Sequence, residues 1–206
     1  MECLKGEFEY FAPKPFVTQV ERSFYREYTP ISALQNQAAI LFMVPYSDQI
    51  YLHLTRSFLY VRAKITNATG GDVTDTTEIG PINQPIHSMF SNIDVELGGK
   101  MISDPNGLYP YRAYIESLLI YTKDAQESHM LSSLWYNDTR SRMDVAIILG
   151  SGATNLRLRS RTTQFSANPE TKMCARLHLD IFHHRRAIPQ NCNLILKLSP
   201  GKMPFS

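Results

Sequence analysis

The chain has 206 residues, 43% of them apolar and 19% charged, with a formal net charge of +2 at pH 7. A chain of this size suits one domain with a sizeable core, and so small a charge does not by itself indicate a nucleic-acid binder. No apolar run approaches the roughly 18 residues that would span a membrane, and the N-terminal "MECLKGEFEYFAPKPF" lacks the basic end and apolar stretch of a secretory signal.

Three cysteines, Cys3, Cys174 and Cys192, form no CxxC pair and leave an odd number. That excludes a disulfide framework and points to a reducing, intracellular compartment. The sequons at Asn67 and Asn137 are then coincidental. Charge is unevenly spread: residues 1–150 carry 12 Lys and Arg against 17 Asp and Glu, and residues 151–206 carry 9 against 2. The front is acidic and the back basic.

Residues 1–30 mix prolines, aromatics and charges without a period and are expected to form an extended arm. "AAILFMVP" (38–45) is a continuous apolar run stopped by proline, the pattern of a strand buried on both faces. "SFLYVRAKIT" (57–66) alternates: Leu59, Val61, Ala63 and Ile65 point one way, Phe58, Tyr60, Arg62 and Lys64 the other. A polar, Gly- and Thr-rich loop follows. Next, Ile93, Val95 and Leu97 face inward on a strand whose outer face carries Asn92, Asp94 and Glu96. Gly98-Gly99 supplies the positive φ angles of a tight hairpin, and Lys100-Met101-Ile102 begins the return.

Pro110 suits the first position of a helix. Apolar residues at 111, 114, 115, 118 and 119 form an amphipathic stripe, with Arg112 and Glu116 one turn apart on the solvent side. A second helical stretch, "KDAQESHMLSSLWY", runs to about Trp135, so a helical insertion is expected at about 109–136. Strands return at "NLRLRSRTTQF" (155–165), at "CARLHLDIF" (174–182) with Leu177, Leu179 and Ile181 inward, and at "CNLILKLSP" (192–200) with Leu194, Leu196 and Leu198 on one face. Seven or eight short strands without persistent strand–helix alternation exclude a doubly wound sheet. The expected fold is all-β, an antiparallel eight-stranded jelly-roll sandwich over residues 31–206 with one helical insertion.

Chemical motifs are sparse. "GSGATN" (150–155) lacks the third glycine of a dinucleotide fingerprint and precedes a strand pattern; "GGK" (98–100) lacks the remainder of a phosphate loop. Asp94 and Glu96 read as acids on an exposed strand face. In "HLDIFHHRR", alternation would put His178, Asp180 and His184 on one face, where a shared metal is one reading and a solvated face the other. No HxH pair of the cupin type occurs, and no cofactor or metal is assigned. Arg157, Arg159 and Arg161 would share one strand face, and Arg185-Arg186 follow His183-His184. That row fits a solvated surface, a contact with the acidic front of another copy, or phosphate binding. No aromatic platform is interleaved with it.

"GPINQPIHSMFSNIDVELGGKMIS", followed by "YPYRAYIESLLIYTKDAQESHMLSSLWYND" and later by "RLHLDIFHHRRAIPQNCNLILKLSP", resembles the major capsid protein of Polinton/Maverick elements and adintoviruses, virus-like DNA transposons of animals. The resemblance covers roughly residues 37–200. It implies a double jelly-roll protein that assembles as trimeric capsomers, with no catalytic residues. Family members are about twice as long, so this chain is expected to match the N-terminal jelly-roll half, as a fragment or as a truncated or domesticated copy. The implied partners are other copies of itself, a minor capsid or penton protein, and packaged DNA on the basic face, with the virion as location and no membrane. The alternatives are a ligand-binding jelly roll such as a carbohydrate-binding module, which needs aromatics on a concave sheet, and a metalloenzyme using His178 and His184.

Overall fold

The computed structural model describes residues 20, 22–32, 34, 38–48, 50–66, 70–71, 80–138, 155–166, 170–184, 187–189 and 192–201. Most of the expected N-terminal arm, Cys3, the sequon at Asn67, most of the Gly- and Thr-rich loop, "GSGAT" (150–154) and Arg185-Arg186 lie outside these residues. Residues 22–30 carry no regular structure. Cys174 and Cys192 are free. Among the described residues no helix is long and apolar enough to cross a membrane.

The described residues form eight strands in chain order: β1 (Ile40–Val44), β2 (Tyr51–Leu52), β3 (Leu59–Ala63), β4 (Phe90–Leu97), β5 (Lys100–Met101), β6 (Thr171–Ala175), β7 (Ile188–Pro189) and β8 (Leu194–Pro200). Every pairing is antiparallel. β1 pairs β8, β2 pairs β7, β3 pairs β6 and β4 pairs β5, a nested set that closes on the β4–β5 hairpin. β8 also pairs β4, which gives a four-stranded sheet in the order β1-β8-β4-β5 beside two two-stranded pairs. The fold is therefore rich in antiparallel sheet.

Strand positions follow from period-two burial. Leu59 is buried and Tyr60 exposed on β3, as the alternation requires. Ile93 and Val95 of β4 and Leu194 and Leu198 of β8 are buried, and Ile93 and Ile40 flank Leu198 on either side. Gly98 and Gly99 both take positive φ, at 58° and 81°, which turns β4 into β5 in two residues. β1 departs from expectation: as the outer strand of its sheet it is half-buried rather than covered on both faces. Asp94, expected on an exposed face, is buried, lies opposite Lys197 and accepts a hydrogen bond from Asn92.

The all-β expectation gives way to a β-rich fold with five α-helices among the described residues: α1 (Pro85–Ser88), α2 (Tyr109–Ile120), α3 (Lys123–Gln126), α4 (Leu156–Ser166) and α5 (Asp180–His183), with 3₁₀ turns at Leu54–Arg56 and His129–Ser133. The insertion at 109–136 is present as α2, α3 and the second 3₁₀ turn. Two expected strands differ, the first helical throughout and the second a strand only to Ala175. Residues 156–166 form α4 because Asn155 caps it, its side-chain oxygen accepting from the Leu158 N–H at 3.1 Å, and because leucine and arginine favour helix. The Leu–Arg alternation there is coincidental. In 174–182 the ladder stops at Ala175; Leu177, His178 and Leu179 all enter the core, and one turn of helix follows.

Arg161 anchors α4. It is 3% exposed and donates to the backbone oxygens of Pro81 and Tyr136 and to Asp138, each at 2.9 Å. Gly80 sits against the same helix, where a Cβ would stand 2.4 Å from the Thr162 hydroxyl. Removing a buried guanidinium bonded through all three nitrogens takes the charged donor from two carbonyls and from the Asp138 carboxylate, which keeps the Asn155 amide at 3.2 Å. Arg161→Ala should therefore lower stability by about 3 kcal/mol or more, measured by urea unfolding; a loss under about 1 kcal/mol would contradict the anchoring role.

Candidate functional site

α2 is where the structure departs most usefully from the periodic reading. The Asn106 side-chain oxygen accepts from the Leu108 N–H at 3.0 Å just ahead of the helix, and Pro110 sits in its first turn. The residues it buries are Tyr109, Ala113 and Ser117, at i, i+4 and i+8. Small side chains at 113 and 117 let the helix axis approach α1 and β4 closely, and Ser117 Oγ accepts from Gln84 Nε2 at 2.7 Å.

The large apolar stripe consequently points away from the core. Leu119 is 75% exposed, Tyr111 59%, Ile115 52% and Leu118 44%. Tyr114 is the partial exception, its ring centroid 5.4 Å from that of Trp135. Sequence periodicity located the stripe and assigned it to the wrong side.

Arg112 and Glu116, expected toward solvent, face inward along the flank of the buried row. Glu116 Oε1 accepts from Arg112 Nε at 2.7 Å. Glu116 Oε2 accepts from His178 Nδ1 at 2.7 Å and lies 3.2 Å from His183 Nε2. The Arg112 guanidinium also donates to Asp180 at the start of α5. Burial alone would raise the Glu116 pKa, but hydrogen bonds from His178 and Arg112 outweigh it and hold the carboxyl down at about 2. The Arg112 contact likewise lowers Asp180.

Behind this carboxylate is a buried aromatic layer. His178, 3% exposed, meets His87 edge-on at 4.9 Å between ring centroids. His87 Nδ1 and the Tyr109 hydroxyl share a hydrogen bond of 2.9 Å. Burial, helped by the neighbouring His178, holds the His87 pKa well below 6.5, so its ring is neutral, while burial raises the Tyr109 phenol. A cleft of about 170 Å³ opens alongside, lined by Asn92, Asp104, Tyr109, Arg112 and Asp180 among others.

The expected trio of His178, Asp180 and His184 does not converge. His178 goes to Glu116, Asp180 to Arg112, and exposed His184 offers its backbone oxygen to Thr55 Oγ1 at 2.7 Å. His183 takes the place assigned to His184 because the chain turns helical at Asp180. Glu116, His178 and His183 bring three ligand atoms within 4.8 Å of one another. No local sequence signal pairs Glu116 with histidines 62 and 67 residues away.

The expected arginine row is also dispersed: Arg157 and Arg159 are exposed on α4, Arg161 is buried, and Arg185 and Arg186 lie outside the described residues. Trp135, the chain's single tryptophan, is 1% exposed and offers no platform for a sugar.

No protein-family model matches the chain, and no solved structure matches it. An uncharacterized protein of Caenorhabditis elegans, F54H12.2, is 24% identical over 181 residues. The match takes in 84% of this chain and 40% of the length of that relative.

The buried histidine gives the fold a pH signature. His87 stays neutral in the folded chain, between Tyr109 and the His178–Glu116 pair, while the unfolded chain takes up a proton below pH 6.5. Its contribution is therefore complete above that pH and is lost as pH falls, at up to ~1.4 kcal/mol per pH unit. Urea unfolding at several pH values should show His87→Gln with a visibly shallower loss between about pH 6.5 and 5 than the parent chain; equal slopes would contradict the assignment.

Proposed function

We propose that this chain is a structural capsid protein, equivalent to the N-terminal jelly-roll half of a Polinton/Maverick-like major capsid protein, and that it acts by self-association. The observation that carries the reading is the outward apolar face of α2: Tyr111, Ile115, Leu118 and Leu119 stand exposed on one side of the helix. Monomers rarely expose a contiguous apolar patch beyond a few hundred Å², and larger ones mark interaction sites. Burying it against a second copy is the occupant that the charge distribution favours. The acidic residues 1–150 of one copy complement the basic residues 151–206 of the next. Such a head-to-tail contact closes into a ring when its rotation permits, and the capsid-protein resemblance implies a trimer.

The nested strand pairing supports the jelly-roll part of the reading. An antiparallel ribbon whose first strand pairs the last, second the seventh, third the sixth and fourth the fifth is the ground plan that rolls into an eight-stranded jelly roll. In this chain β4 lies next to β8 with β5 outside it, and the β2–β7 and β3–β6 pairs stand as short ladders.

Size-exclusion chromatography with light scattering is the test. The parent chain is expected as a trimer or larger, with the mass falling at high salt if acidic and basic surfaces meet. Leu118→Glu with Leu119→Glu should give a monomer with an unchanged circular-dichroism spectrum, since both side chains are exposed in the single chain, and with a melting temperature that no longer rises with protein concentration. A parent chain that stays monomeric at all concentrations would sink the proposal.

A further inference from the structure

We propose that Glu116, His178 and His183 form a binding site for a first-row divalent transition metal of the zinc class, clamping α2 to the segment that leads from β6 into α5. The donors are Glu116 Oε2, the ring nitrogen Nδ1 of His178 and Nε2 of His183. The carboxylate oxygen lies 2.7 Å from the first and 3.2 Å from the second, and all three atoms fall within 4.8 Å. Donors bound to one tetrahedral ion at about 2.0–2.1 Å stand roughly 3.3 Å apart, so small side-chain rotations open the cluster around an ion. Two imidazoles and one carboxylate suit zinc, cobalt, nickel or iron and disfavour magnesium and calcium, which take oxygen ligands.

The surroundings are those of a built site. His178 is held edge-on against His87 at 4.9 Å and Tyr121 at 6.5 Å, which fixes the direction of its Nδ1. The other carboxylate oxygen is occupied by Arg112 Nε at 2.7 Å, leaving Oε2 as a single-oxygen ligand whose orientation is set from outside the cluster. Asp180 balances the guanidinium charge. His183 is 44% exposed along its side chain, so an ion can enter from solvent and keep a position open beyond the three protein ligands. The rival arrangement is a hydrogen-bonded hub in which both rings donate to Oε2. The two differ in one respect: only the metal site takes up an ion in stoichiometric amount.

The test uses the full chain without a histidine tag, stripped with a chelator and titrated with Co²⁺, then with Zn²⁺. One equivalent per chain, a visible d–d absorption bleached by Zn²⁺, and a rise in melting temperature of roughly 5–10 °C at a hundredfold excess over the dissociation constant are expected. His183→Ala, at a half-exposed position that the core does not need, should lose at least about tenfold in affinity and with it about half or more of the thermal shift at the same metal concentration, and His184→Ala should behave as the parent. A parent chain showing neither absorption nor thermal shift would overturn the site. A shift that survives undiminished in His183→Ala would place any binding elsewhere and overturn it equally. Neither result bears on self-association, which is read from mass and through different residues.

Discussion

The carboxylate of Glu116 is the contact on which the rest of the arrangement depends. It joins three side chains from three places in the chain: Arg112 one turn earlier on the same helix, His178 after β6, and His183 at the end of α5. The side chain is 18% exposed, which strengthens each contact relative to one in bulk water. Through Arg112 the network extends to Asp180, and through His178 to His87 and Tyr109. This polar layer, together with the small row at Ala113 and Ser117, sets the rotation of α2 about its own axis. Once Glu116 is turned inward, Ile115, Leu118 and Leu119 must turn outward.

That rotation leaves hydrophobic surface uncovered, on the order of 10 kcal/mol of burial at about 25 cal/mol per Å² over several hundred Å². Turning the stripe inward instead would need side chains of leucine and isoleucine size where alanine and serine now let α2 approach β4, and would strip Glu116 of its partners. A buried carboxylate without partners costs several kcal/mol, and overpacking adds roughly 1–3 kcal/mol. The folded chain thus keeps an inner network satisfied and an outer face apolar. Association has its own cost in lost translational and rotational freedom. A second copy covering the face offsets it with the burial that the monomer leaves undone, and the acid–base asymmetry of the two parts of the chain gives the contact a direction.

The strands were legible where one face is buried and the other is not. β3 alternates in sequence and in burial, the apolar positions Ile93, Val95, Leu194 and Leu198 of β4 and β8 are buried as their period requires, and Gly98-Gly99 announced the β4–β5 hairpin because few other residues tolerate two successive positive φ angles. α2 was legible as a helix but not in its orientation: periodicity reports that a stripe exists, and close packing through Ala113 and Ser117 decides which stripe goes in. α4 was misread because leucine and arginine happened to alternate, although Asn155 ahead of them is a capping residue. The site itself was hidden. Glu116 is separated from both histidines by more than 60 residues, and His183 replaces His184 only because one turn of helix forms at Asp180.

The most direct measurement of the central claim is hydrogen–deuterium exchange across residues 109–120 as a function of protein concentration. The expected result is slower exchange in α2 as concentration rises, with the β4–β5 hairpin unchanged, because the outer face of α2 is covered when copies meet. Exchange in α2 that is independent of concentration, in a chain whose mass does rise, would show that assembly uses another surface and would contradict the account.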